Sequence, residues 1–229
     1  MIDLMIGIAA ILGTLFIYIG SLTLYQRLRS PITLPVFVST IVVSCLLLVS
    51  NVSYDAYMKG GAWVDWFLGP AVVALAYPLY KQRAILKSFM IPIVSSVTVG
   101  AVIGISSGIT LLKWAEFEPS IIYSIVPKNA TTPVAMPVAK SLGGIPSLAA
   151  VFVIFAGIVG AVMGPSLFKW TRITHFLGKG VGMGTASHAI GTSKAMEESE
   201  EEGAVSTVAM ILGAIVISFI SPLVVFLLL

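Results

Sequence analysis

The chain has 229 residues, of which 58% are hydrophobic and only 10% are charged, and its formal net charge is +3. A soluble domain is usually about one quarter charged, so this composition excludes an ordinary soluble protein. The single cysteine, Cys45, has no second cysteine with which to form a disulfide in the chain. In so apolar a chain the small positive charge informs orientation in a membrane and does not indicate nucleic-acid binding.

Long windows without Asp, Glu, Lys or Arg predict the class of protein. Several of these windows reach the roughly 20 residues with which a helix crosses a bilayer. They cover 4–26, 30–54, 88–112, 141–168 and 203–229, and a shorter window covers 66–80. We therefore predict an all-α polytopic membrane protein with six or more spans, which forms a single transmembrane domain over residues 1–229.

The order of the spans raises a question of topology. Basic residues follow the first, third and sixth predicted segments, and the positive-inside rule places them all in the cytoplasm. All three groups of basic residues can lie on the cytoplasmic side only if the segment at about 119–142 enters the membrane and returns, or crosses it twice as two short pieces. We prefer two pieces, a short helix at 119–126 and a half-helix at 134–142 that meet at a break. The remaining spans are predicted at about 4–24, 32–50, 63–80, 88–112, 146–168 and 204–229.

The segment 128–140 is the most unusual part of the sequence. It is apolar enough for membrane depth, yet Pro133 and Pro137 disfavour a continuous helix. Irregular backbone inside a bilayer is tolerated where it lines a cavity or is buried in protein. In secondary transporters such interrupted segments form the substrate site. The predicted binding residues of this break are Asn129, Thr131, Thr132 and Pro133.

The polar residues of this break also have a structural interpretation. Thr and Asn are good helix N-caps and Pro suits the first turn, so they equally fit a helix that begins near Pro133. The two interpretations are compatible with each other. The neighbouring Lys128 either attracts an anion or extends to the membrane surface, and surface extension is the interpretation that we favour.

Two pairs of matching stretches predict an internal repeat. Residues 71–81 match residues 130–140, with alanine, proline and lysine in register, and residues 100–104 match 160–164 with glycine at both ends. Compositional coincidence is the alternative, because small apolar residues are common in this chain. The predicted repeats cover about 60–112 and 119–171.

Repeats of opposite topology would bring two broken segments together in the middle of the membrane. The ends of half-helices that meet there would carry free backbone N–H groups and would form an anion site. In the first repeat, Gly69 and Pro70 occupy the position of the break. They have no polar side chains, so we expect them to contribute backbone groups to the same binding site.

The segment 178–195 combines five glycines with five hydroxyl or imidazole side chains. A glycine-rich backbone can approach a ligand closely, but the spacing is not that of a phosphate-binding loop. His188 either couples transport to protons or is a hydrogen-bonded histidine that holds a re-entrant loop. The predicted binding residues of this segment are Thr185, Ser187, His188, Gly191 and Thr192.

The sequence contains no pattern that is typical of an enzyme. No nucleophile is paired with a base, no cluster has the spacing of metal ligands, and no nucleotide fingerprint is present. We therefore expect no catalysis, no bound metal and no cofactor. The carboxylates between 197 and 202 indicate a solvated helix face, and steering of a charged solute is the alternative.

Three motifs make the chain resemble the LrgB/CidB family over essentially its whole length. They are LGPAVVALAYPLYKQ at 68–82, TTPVAM at 131–136 and GTASHAIGTSKA at 184–195. The resemblance implies a multi-pass protein of the bacterial cytoplasmic membrane, similar to plant plastid glycolate/glycerate transporters. It also implies remote kinship with elevator-type carriers, so the expected fold is an inverted-repeat elevator-type transporter with two crossing, proline-broken segments.

The same resemblance implies two functions. The expectation that we prefer is a secondary transporter of small monocarboxylates such as pyruvate, glycolate and glycerate. The alternative is an antiholin-like or holin-like protein that modulates murein hydrolase export and autolysis. Both involve a small LrgA/CidA-type membrane partner. The GxxxG spacings at 100–104 and 160–164 fit a homo-oligomer, although they fit packing within the chain equally well.

Overall fold

The computed structural model of the chain describes residues 2–28, 30, 33, 35–74 and 76–229. Across these residues the long regular elements are all α-helices, as the sequence predicts. The chain divides into two compact units, Met1–Ala71 and Val72–Leu229. The single transmembrane domain that the sequence predicts over residues 1–229 stays a prediction.

The first unit is a small helical bundle in which α1 packs against both α2 and α3. A glycine pair brings α1 and α3 into close contact, because a Cβ on Gly60 would lie 2.2 Å from the carbonyl oxygen of Gly7. The hydroxyl of Thr14 lies 3.0 Å from that of Tyr57 across the same contact. The helices are α1 (Ile2–Leu28), α2 (Pro35–Val49) and α3 (Tyr54–Trp66), and α4 (Leu68–Ala74) begins at the end of this unit.

The second unit contains short helices and long helices in alternation. The short pair α5 and α6 precedes a helix of 25 residues, α7, and the short pair α8 and α9 precedes another helix of 25 residues, α10. The two predicted repeats therefore have a similar order of helix lengths, while their inverted topology stays a prediction. The bounds are α5 (Ala76–Lys81), α6 (Arg83–Ser88), α7 (Met90–Trp114), α8 (Pro119–Ile125), α9 (Thr132–Leu142), α10 (Pro146–Trp170), α11 (Phe176–Glu198) and α12 (Glu200–Leu228).

Within the described residues, 4 helices are long and apolar enough to cross a membrane. They are Gly7–Leu28 within α1, and the whole of α7, α10 and α12. The predicted span at 63–80 is not one continuous helix, because the chain leaves the helical conformation at Phe67, between α3 and α4. The structure thus establishes a helical membrane protein, and six or more spans in an elevator-type fold stay predictions.

The predicted break in the segment 119–142 is confirmed. Helix α8 ends at Ile125 and α9 begins at Thr132, with Pro133 in its first turn. The half-helix ends at Gly143, whose φ of 89° suits glycine at the end of a helix. The sequence places the start of α9 two residues too late, because the residue before Pro133 is already helical.

Helix α12 packs against α5, α6, α7, α9 and α11 and carries much of the buried surface of the second unit. Its Ala214 and Ile217 share an apolar cluster with Ile105 and Ile109 of α7. Large apolar side chains on the outside, such as Phe155 and Phe226, are exposed. Since lipid is as apolar as these side chains, such an exterior fits a protein that lies in a bilayer.

Candidate functional site

Helix α11 is interrupted at His188, which has a φ of 41° and a ψ of −131°. Positive φ is strained in a residue other than glycine, and conformations of this kind are unfavourable by about 1–3 kcal/mol. The buried imidazole offsets this strain, because its Nε2 donates a hydrogen bond to the carbonyl oxygen of Val153 in α10 at 2.9 Å. This is the hydrogen-bonded alternative for His188 that the sequence leaves open.

Glycines of α10 provide the space for this interruption. A Cβ on Gly157 would lie 2.6 Å from Cε1 of His188, and a Cβ on Gly160 would lie 1.8 Å from Oγ of Ser187. Gly164 gives similar room to the sulfur of Met183. The glycine pair at 160 and 164 therefore serves packing within the chain, the alternative to an oligomer contact.

A second interruption separates α8 from α9 at residues 126–131. Thr131 occupies the N-cap position of α9, and its carbonyl oxygen accepts from the N–H groups of Val134 and Ala135 at 2.9 and 2.8 Å. Its hydroxyl makes no capping hydrogen bond and is buried without a partner in the described part of the chain. The capping interpretation is thus wrong for the Thr131 side chain. Thr132 and Pro133 are half-buried in the first turn of α9.

The two interruptions meet at Asn129. Its side-chain Nδ2 donates to the carbonyl oxygens of Thr185 and Ala186, both at 3.3 Å. These carbonyls lie just before the interruption of α11, where a helix loses internal partners for its backbone. We call Asn129 and these two carbonyl groups the break junction. It joins two of the segments in which the sequence predicts binding residues.

Buried polar atoms without partners occur in both of the segments that the break junction joins. Buried polar groups in proteins nearly always have a hydrogen-bond partner, so each exception needs an explanation. In the described residues the exceptions are Asn129 Oδ1, Thr131 Oγ1, Thr185 Oγ1 and Ser187 Oγ. Together they offer an amide acceptor and hydroxyl groups that can either donate or accept. A small polar ligand would satisfy these atoms.

A row of glycines on α7 packs against the same residues. A Cβ on Gly100 would lie 2.8 Å from Cγ2 of Thr185, and a Cβ on Gly104 would lie 3.1 Å from Asn129 Oδ1. One turn further, a Cβ on Gly108 would lie 3.1 Å from Nζ of Lys128. The sequence contains this spacing of four residues, but the partners of the glycines become visible only in the folded chain.

Lys128 extends toward the middle of α7. Its ammonium donates a hydrogen bond to the carbonyl oxygen of Gly104, which lies far from both ends of that helix. The expectation that Lys128 extends to the membrane surface is therefore wrong. The reason is geometric, because the break at 126–131 turns the side chain inward against a glycine face that leaves room for it.

Two of the remaining predicted binding residues, Thr192 and Gly191, make other contacts within the second unit. The hydroxyl of Thr192 lies 2.8 Å from that of Ser206 in α12, and Gly191 packs closely on the Met183 carbonyl oxygen. These two residues serve contacts within the α11–α12 region. Gly69 and Pro70 are exposed in α4, and their predicted contribution to a binding site stays a prediction.

The acidic run before the last helix is only partly a solvated face. Most of its carboxylates are exposed, and Lys194 pairs with Glu197 at 3.0 Å. The hydrogen bond that Lys194 donates to the Glu197 carboxylate is the main cause that raises the pKa of Lys194 above its usual value. Glu202 differs from the rest, because it is buried and pairs with Lys179 at 3.0 Å.

Long apolar helices, an apolar exterior and a buried polar junction define the class of this chain as a helical membrane protein. Residues 14–227 match the LrgB-like family. The chain belongs to this family, and the resemblance drawn from the three sequence motifs is confirmed.

The relatives cover nearly the whole chain. The "Uncharacterized protein YxaC" of Bacillus subtilis (strain 168) is 46% identical over 222 residues, which are 97% of this chain and 96% of the relative. "Holin-like protein CidB" of Staphylococcus aureus (strain Mu50) is 34% identical over 225 residues, 98% of each chain. No solved structure matches.

Proposed function

We propose that the protein is a carrier that moves small monocarboxylates of the pyruvate, glycolate and glycerate class across the bacterial cytoplasmic membrane, without chemical conversion. One observation supports this proposal above the others. Two helix interruptions meet at the break junction, next to buried polar atoms that have no partners in the described residues. Paired interruptions of this kind form the binding sites of secondary transporters.

The chemistry of the unpartnered atoms fits a small acid, and a hydroxy acid such as glycolate fits more completely than a keto acid, whose carbonyl oxygen can only accept a hydrogen bond. The hydroxyls of Thr131 and Thr185 can donate hydrogen bonds to a carboxylate, and Asn129 Oδ1 can accept one from an α-hydroxyl group. These groups are few and lie within a short stretch of two segments. A solute of two or three carbons would satisfy them, whereas a larger polar solute would bring groups that find no partner.

Uptake into liposomes that contain only the purified protein tests this function. Labelled glycolate should enter with saturable kinetics, and pyruvate, glycerate and lactate should compete with it. Acetamide, a neutral solute of similar size, should not compete. Uptake that is absent, or that rises linearly with concentration, both with and without an LrgA/CidA-type partner, would contradict the carrier function.

The relatives named "Holin-like protein CidB" favour a second candidate function, and they support it more directly than they support the carrier. In this candidate the chain regulates murein hydrolase export and autolysis together with a small LrgA/CidA-type partner. A homo-oligomer would be a further requirement of a pore. The exposed apolar side chains on the long helices offer surfaces on which either assembly could form in a bilayer.

Electrical recording in planar bilayers separates the two candidates. A holin-like pore gives large, unsaturable and poorly selective conductance, either alone or after addition of the partner. A carrier gives no resolvable single-channel steps, since its turnover is far slower than ion flow through a pore. Pore-like conductance that persists when the break junction is altered by Asn129→Ala would favour the second candidate.

A further inference from the structure

We propose that Lys128 binds the carboxylate of the solute directly, so that the site selects monoanions over neutral molecules of the same shape. This inference rests on the proposed carrier function and adds to it the residue that sets charge selectivity. It starts from Lys128, a charged side chain that takes no part in the hydrogen bonds of the break junction.

The position of Lys128 is the first observation. Its ammonium contacts the carbonyl oxygen of Gly104, and α7 extends from Met90 to Trp114. With a rise of 1.5 Å per residue, Gly104 lies roughly 15 Å or more from either end of α7. Helix α7 is one of the helices long and apolar enough to cross a membrane. The ammonium therefore lies at the depth at which an isolated charge is least favourable.

The absence of a counter-charge is the second observation. The ion pairs of the described side chains involve Lys179 and Lys194, and none involves Lys128. Helices α7, α8 and α9 carry no Asp or Glu. A single carbonyl satisfies one of the three N–H donors of an ammonium group. The remaining donors are available to an anion that comes from outside the chain.

The neighbours of Lys128 supply the rest of the binding site. Asn129 Oδ1 is buried without a partner in the described region and lies against Gly104, the same glycine whose carbonyl holds the ammonium. Gly108 also leaves room beside the ammonium, because a Cβ at that position would lie 3.1 Å from Nζ. A carboxylate on the ammonium would thus place the α-hydroxyl of a small acid within the region of the unpartnered amide oxygen.

Ligand-dependent thermal unfolding of the purified protein in nanodiscs tests the inference without requiring transport. The probes are glycolate and its neutral amide, glycolamide, at equal concentrations. Lys128→Gln removes the charge, Lys128→Arg keeps it, and Lys140→Gln serves as a matched control, since Lys140 is an exposed lysine on α9. Size-exclusion profiles of all variants check that they remain folded.

Wild type, Lys128→Arg and Lys140→Gln should be stabilised by glycolate, with little response to glycolamide. Lys128→Gln should bind glycolate roughly 10- to 100-fold more weakly, the usual effect of losing a hydrogen bond to a charged group. Its ratio of glycolate to glycolamide affinity should fall toward one, which a merely structural effect of the substitution would not cause.

Two results would overturn the inference and can be told apart. If Lys128→Gln keeps the wild-type preference for glycolate, Lys128 does not bind the carboxylate, while the carrier function stands. If no small carboxylate stabilises the wild-type protein at all, the carrier function fails and the role of Lys128 fails with it. Should Lys128→Gln not fold, Lys128→Met provides the same test with an apolar side chain of similar length.

Discussion

The two interruptions that meet at Asn129 arise in different ways. The break between α8 and α9 contains Pro127 and is followed at once by Pro133, so the local sequence disfavours a continuous helix there. Helix α11 contains no proline. It is interrupted at His188 because the imidazole bonds to α10 and because glycines leave room for it. One break is thus encoded locally, and the other depends on tertiary contacts.

The largest effect is expected when the space beside His188 is filled. In Gly157→Ala the new methyl group would meet both His188 and Ile190 Cδ1, the latter at 2.7 Å. We expect a loss of about 2–4 kcal/mol in the free energy of unfolding, from overpacking and from a weakened buried hydrogen bond. Unfolding in detergent measures it. The control is Gly213→Ala in α12, whose Cβ has its nearest neighbour at 3.8 Å. Equal stability of the two variants would contradict a break held by α10.

The backbone at His188 gives a sharper test of the same break. Alanine is normally the better helix residue by about 1 kcal/mol. At position 188 the order should be reversed, with His188→Gly more stable than His188→Ala by about 1 kcal/mol, because glycine accepts positive φ without strain. Both variants lose the imidazole, so their difference reports the backbone alone.

Ser193 provides the matched control for this pair. It is an exposed helical residue five positions further along α11, where Ser193→Ala should be more stable than Ser193→Gly. If alanine is the better residue at both positions, α11 is not interrupted at His188 in the way described.

Asn129 connects the two breaks through its donor group, Nδ2. Its substitutions by Ala and Asp test whether the protein needs this donor. Asn129→Ala loses the hydrogen bonds to two carbonyl oxygens, and we expect a loss of about 1 kcal/mol in stability and weaker uptake. Asn129→Asp should be worse in both assays, because a carboxylate cannot donate to those carbonyls and repels an anionic solute. Wild-type behaviour of Asn129→Asp would show that the amide does not bridge the breaks.

The smallest change in stability is expected at Thr185, where the effect should appear in uptake instead. Thr185→Val removes a buried hydroxyl that has no partner among the described residues, so stability should stay within about 0.5 kcal/mol of wild type. Uptake of glycolate should fall several-fold if this hydroxyl binds solute. In the control Thr207→Val, a buried hydroxyl that donates to Gly203 at 2.8 Å is lost, and stability should fall by about 1 kcal/mol. The opposite pattern would remove Thr185 from the binding site.

The proline-encoded break could be predicted from the sequence, and the helices on both sides begin and end within two residues of the expected positions. Pro133 provides a local signal that does not depend on the rest of the fold, whereas Pro137 lies inside α9 and does not interrupt it. The partner of this break could not be predicted in the same way. The predicted internal repeat pairs this break with Gly69 and Pro70, whereas the contacts of Asn129 are to Thr185 and Ala186.

The interruption of α11 lies beyond local sequence signals for a physical reason. The carbonyl that holds His188 belongs to Val153, 35 residues earlier in the chain. Until α10 packs beside α11, nothing distinguishes His188 from an ordinary helical residue. Lys128 was ambiguous for the same reason, because its two interpretations differ only in where α7 lies.

Helix α12 joins the two halves of the broken helix to one another. Before the interruption, Lys179 pairs with Glu202 at 3.0 Å, and after it, Thr192 contacts Ser206 at 2.8 Å. Both halves of α11 therefore contact one continuous helix, α12. A change of angle at His188 would disturb at least one of these contacts, so we expect α12 to move together with α11 in any displacement of the broken helix.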